Sequence, residues 1–195
     1  MKNLFIIIVL IFSIEVNSQN SSIPNFDLKD STELQNNYIE LLKLKDKNSL
    51  IINLSIYKNK TQNSSLFLVF SNNGKVLRYD VFYPKNQNDK IIIEKRKTKK
   101  EDYKRLWSLL NESSLKKRFE IDTTKLNITE YENDEGKTKI IYNGNIGGLE
   151  YQIELIQNHR IRIFKTYEPV WFIKLKVPGY EERQKFLELW NDYTK

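Results

Sequence analysis

The chain has 195 residues and a mass of 23.4 kDa, with 32 Lys and Arg against 25 Asp and Glu for a net charge of +7. It has no Cys, one His (His159) and no Ala. Zinc sites built on Cys and His, disulfide scaffolds, thiol nucleophiles and redox pairs are therefore excluded, while a 39% hydrophobic and 12% aromatic composition can build a core.

Residues 1–18, MKNLFIIIVLIFSIEVNS, place Lys2 before an apolar run from Leu4 to Ile14. As a helix that run reaches about 16 Å, roughly half the ~30 Å hydrocarbon core of a bilayer, which suits a secretory signal rather than a span. The mature chain is expected to begin near Gln19 and to be extracytoplasmic, periplasmic or secreted, with no transmembrane span after signal cleavage. Without a Cys after the run, no lipid anchor is expected. Six N-x-S/T sequons, the first at Asn20, reflect an Asn-rich composition.

Residues 19–29 read as a flexible tether. Asp30 and Glu33 resemble a capping box, and Leu34, Tyr38, Leu41 and Leu42 share one face, so a helix is expected over Asp30–Lys45. A β-meander follows at Leu50–Tyr57, Leu66–Phe70, Val76–Tyr83 and Ile91–Arg96, with Asn73-Gly74 as a type I′ turn. A second helix is expected from Thr98, capped with Glu101, presenting Tyr103, Leu106, Trp107 and Leu110. The second half predicts strands at Leu126–Glu132, Thr138–Asn143, Leu149–Ile156, Arg160–Tyr167 and Trp171–Val177. Pro178-Gly179 then stops the last strand, and a helix over Tyr180–Tyr193 carries Phe186, Leu189, Trp190 and Tyr193. Bunched strands with helices at their ends predict an α+β fold of antiparallel sheet with packed helices. Residues 30–195 read as a single domain, or as two meander-plus-helix halves, 30–112 and 113–195.

His159 falls in a predicted turn, where a solvated role is expected, and no G-x-S-x-G elbow accompanies it. Glu130 with Glu132, and Glu150 with Glu154, are the carboxylate pairs a small hydrolase would use. An ordinary solvated sheet face, its acids paired with lysines such as Lys137 and Lys139, is the preferred explanation. The glycine-rich stretch Asn143–Gly148 joins two strands without opening a helix, and reads as a hairpin connection. No catalytic residue, metal site or cofactor is expected.

The sharper feature is a basic strip. Arg160, Arg162 and Phe164 share one face of their strand, opposite Ile161 and Ile163. On the next strand Trp171, Ile173, Leu175 and Val177 point inward, leaving Phe172, Lys174 and Lys176 outward. Pairing these strands sets Arg162 opposite Lys176 and Phe164 opposite Lys174, a like-charge arrangement that an anionic ligand would justify. Arg160, Arg162, Phe164, Phe172, Lys174 and Lys176 are thus the candidate ligand-binding residues, and the run Lys95–Lys100 is second. The counter-reading is a solvated face in which a three-residue turn, Gln157–His159, sets Glu154 against Arg162. All three tryptophans are expected in the core. The functional expectation is a non-catalytic binding or interaction protein of the cell envelope. Its partner is an unidentified protein or an anionic envelope polymer, with no nucleic acid expected. The alternatives are a small secreted hydrolase using paired carboxylates and a secreted inhibitor or immunity-type protein.

Overall fold

The computed structural model describes residues 23–26, 28, 32–33, 38–44, 49–58, 61–84, 89–111, 117–128, 130–133, 135–140 and 148–195. The N-terminal apolar run, Leu34 and most of the glycine-rich stretch lie outside them.

Runs of Ile, Leu, Val and Phe favour extended backbone whose alternate side chains fill two opposite layers. β1 (Thr32–Glu33), β2 (Leu50–Lys58), β3 (Thr61–Phe70), β4 (Val76–Phe82), β5 (Ile92–Arg96), β8 (Leu149–Gln157) and β9 (Arg160–Tyr167) form one antiparallel sheet in the order β1-β9-β8-β2-β3-β4-β5. β2 to β5 make the expected meander. β2 also pairs with β8 (Leu54 with Ile153), so both halves of the chain share this sheet. β6 (Glu130–Glu132) and β7 (Thr138–Ile140) pair separately. With five helices described, the fold is α+β.

On one face, Leu50, Ile52, Leu54, Leu68, Phe70, Ile153, Leu155 and Phe164 lie under α2 (Lys100–Asn111) and α5 (Tyr180–Thr194). These helices contribute the expected stripes: Leu106, Trp107 and Leu110, then Phe186, Leu189 and Tyr193. Trp107 meets Phe70 edge-on at 5.7 Å, and the half-buried Trp190 meets Tyr151 at 5.0 Å. Phe26 and Leu28 are buried in this layer. Gln157 accepts from the Phe26 N–H (2.9 Å) and donates to the Pro24 carbonyl (3.0 Å), so this part of the expected tether is tied to the sheet. On the other face, Ile51, Phe67, Val69, Tyr79, Val81, Ile156 and Ile161 pack with Tyr38 and Leu42, at α1 (Tyr38–Leu41).

Five expectations are corrected. Thr32 and Glu33 lie in a strand, paired with Ile161 and Arg160, where a helix was expected, and among the described residues the helix there is α1. Leu126 does not begin a strand. It ends α3 (Thr123–Leu126), whose N-cap Asp122 accepts from the Thr124 and Lys125 amides. The segment Trp171–Val177 is not a strand either: α4 (Pro169–Lys174) occupies it. Pro169 lacks an N–H and has a fixed φ, so it suits a helix start, and that local preference outweighed the apparent alternation downstream. Finally, β8 and β9 are joined by the two residues Asn158 and His159, both at positive φ, which puts Glu154 opposite Ile163 rather than Arg162. In the β3–β4 hairpin Gly74 alone takes positive φ, so the turn is not type I′.

Candidate anion-binding groove

β5 is an edge strand among the described residues, and its register with β4 sets Arg78 directly opposite Arg96 and Asp80 opposite Glu94. Both guanidinium groups converge on Asp80, which is buried: Arg96 bonds one carboxylate oxygen, and Arg78 Nε lies 3.7 Å from the other. Arg78 Nε has no hydrogen-bond partner among the described residues. Asp80 thus serves two guanidinium groups, and the exposed Glu94 faces it across the ladder.

Lys97 and Lys99 carry the chain from β5 to α2, and Thr98 Oγ1 donates to the Val76 carbonyl at 3.4 Å, holding the crossing to β4. Beside that crossing lies a groove of about 560 Å3 lined by Lys75, Val76, Leu77, Lys95, Arg96, Lys97, Thr98 and Tyr103. A smaller pocket of about 130 Å3 shares Arg96, Lys97 and Thr98 with it and adds Arg78, Lys99, Asp102, Arg105 and Lys195. Eight Lys and Arg side chains therefore line the two pockets, and Asp102 is the one acid among these lining residues. Val76, Leu77 and Tyr103 supply an apolar floor. Such a cleft concentrates positive potential and raises the local concentration of anions.

The strip expected on the last two strands is not assembled as a strand pair, because α4 replaces the second strand. Phe164 points into the core beside Phe119 (6.1 Å), with Arg162 half-buried over its ring at 5.0 Å. Phe172 is also buried, under the Arg183 guanidinium at 4.7 Å. Arg160 is exposed beside the β8–β9 turn, whereas Lys174 and Lys176 are exposed at the end of α4. Trp171, expected in the core, is 45% exposed. His159 is exposed in its turn.

Sequence reasoning also misplaced the polar face of β8. Gln152 and Glu154 are buried. Asn53 Nδ2 and Gln152 Nε2 each donate to a different oxygen of Glu154 at 2.7 Å. The network continues through Asn53 Oδ1 and Ser55 (3.3 Å) to Ser65 (2.7 Å), and Gln62 donates to both serines. Burial, reinforced by Glu154, pushes the Tyr57 hydroxyl up to about 12; burial also raises Tyr83, which bonds Ser65 and Gln62. Glu150 instead pairs with Lys165 at 2.9 Å. The other acid pair, Glu130 and Glu132, is exposed on β6. Among the described residues, no three His, Asp or Glu side chains gather to hold a metal ion, and no helix is long and apolar enough to cross a membrane.

No family model, curated protein or solved structure matches this chain.

Proposed function

We propose that the protein is a non-catalytic, secreted or periplasmic binding module that takes an anionic envelope partner into the groove between β4, β5 and the start of α2. The observation that carries this reading is the cationic lining of the two adjoining pockets, eight Lys and Arg against Asp102, with Asp80 paired to two of them. The apolar floor favours a partner with a carbon framework between its anionic groups, such as an acidic polymer. The apolar N-terminal run supports the extracytoplasmic placement.

A carboxylate-pair hydrolase finds less support. Both oxygens of Glu154 accept from amides, and Glu150 is held by Lys165. Glu154 is thus held in the buried amide network and Glu150 in an ion pair, and Glu130 and Glu132 are exposed on β6.

The test uses a sulfated polysaccharide column as the anionic probe. Wild-type protein should be retained and elute with added salt, because added ions screen charge-driven binding. Lys97→Glu with Lys99→Glu should pass unretained while keeping the wild-type circular dichroism spectrum, since both side chains are exposed. Equal retention of the variant would refute this groove as the site.

A further inference from the structure

α4 divides its side chains sharply. At 100° per residue, Val170, Trp171, Lys174 and Leu175 fall within one arc, and Pro169, Phe172 and Ile173 fall on the other side. The inner side is anchored: Phe172 packs with Val177, Tyr131 and Tyr167 beneath the Arg183 guanidinium. Arg183 in turn donates to the Pro178 (2.9 Å) and Ile128 (3.2 Å) carbonyls. The outer side leaves Val170, Trp171 and Leu175 48%, 45% and 52% exposed. Trp171 stands edge-on to Phe172 at 5.0 Å, so its position is set from below while much of the ring remains outside.

From this arrangement we infer that α4 is a docking element for an anionic lipid surface, with Trp171, Val170 and Leu175 entering the interfacial region and Lys174 and Lys176 meeting the headgroups. Three features favour lipid over a protein partner. Trp is the side chain that best tolerates the boundary between hydrocarbon and water, and Lys stems can lie along apolar surface while the ammonium stays wet. The helix also satisfies its own backbone: Trp171 and Phe172 N–H donate to Glu168, Leu175 N–H to Trp171 and Lys176 N–H to Ile173. It would therefore carry few unmet polar groups into the interface. Lastly, a lipid surface accepts three protruding apolar side chains without a matching pocket, and the net charge of +7 draws the molecule toward anionic headgroups.

The probe is vesicle sedimentation with phosphatidylglycerol–phosphatidylcholine mixtures, compared with phosphatidylcholine alone. Wild-type protein should pellet with the anionic vesicles and less with neutral ones. Brominated lipid should quench tryptophan emission, and Trp171→Phe should remove that quenching, because Trp107 is buried and Trp190 half-buried. Trp171→Glu with Leu175→Glu should lower vesicle partitioning about tenfold or more. The milder Val170→Ser with Leu175→Ser should lower it in the same direction, which guards against a folding defect. Three results would each overturn the inference: no pelleting of wild-type protein, pelleting unchanged in the Glu variant, or pelleting lost in Lys97→Glu with Lys99→Glu while brominated lipid leaves Trp171 unquenched. The last would place vesicle contact at the groove instead.

Discussion

Arg78 and Arg96 face each other across the β4–β5 ladder and share the single carboxylate of Asp80. Like charges in that position normally weaken a sheet. Here the shared carboxylate offsets the repulsion, and the exposed Lys97 and Lys99 add positive charge where the chain crosses into α2. The same pair therefore bears on both sheet stability and the proposed anion binding.

Removing the carboxylate separates the two effects. Asp80→Asn should destabilise the fold by about 1–2 kcal/mol, below the range for fully buried pairs because both guanidinium groups reach water. It should also strengthen retention on the sulfated column, since the pocket gains one net positive charge. Urea unfolding and salt elution measure the two outcomes, and a loss of retention in the folded variant would contradict the charge account.

The Glu154 carboxylate is the hub of the buried network. Glu154→Ala would strand the Asn53 and Gln152 amide donors, at a cost of about 2–4 kcal/mol. Glu154→Gln should cost less, because one acceptor oxygen survives. The denaturation midpoints of the two variants should rank in that order.

Tyr57 makes stability fall in alkali. Its folded-state pKa of about 12 lies above the ordinary value of 10, so the folded chain holds a proton that the unfolded chain releases. The resulting stabilisation is complete below pH 10 and disappears as pH rises toward 12. Tyr79, Tyr83 and Tyr151 shift in the same direction. Tyr57→Phe should flatten, without abolishing, the decline of urea midpoints across this window.

Gly179 starts α5 at φ +82, and a Cβ there would lie 2.1 Å from the Lys125 carbonyl oxygen. Backbone cannot move aside as a side chain can. Gly179→Ala should cost more than about 1–2 kcal/mol from the left-handed conformation alone. Thermal unfolding would report it, and a neutral result would mean that α3 and α5 are less closely apposed.

Much of the fold was legible in local patterns. The strands at 50–57, 66–70, 76–83, 149–156 and 160–167 and the helices carrying Trp107 and Trp190 follow from strong periodicity. The basic run Lys95–Lys100 was visible as a secondary candidate, but its partner Arg78 lies on a different strand and was brought to it by the ladder. Segment 171–177 was misread because two-residue alternation of apolar side chains over so short a stretch also fits a helix. Pro169 was the available signal.

By itself, the sequence determined the α+β class, the meander, the helical stripes and the net positive charge, because each depends on composition or on neighbours a few residues apart. Tertiary structure decided which polar faces were buried, which cations met across the β4–β5 ladder and which tryptophan reached solvent. Those outcomes depend on register and on helices packed against both faces of the sheet. A two-residue turn at Asn158 and His159 was enough to set Glu154 beside Ile163 and send Phe164 into the core.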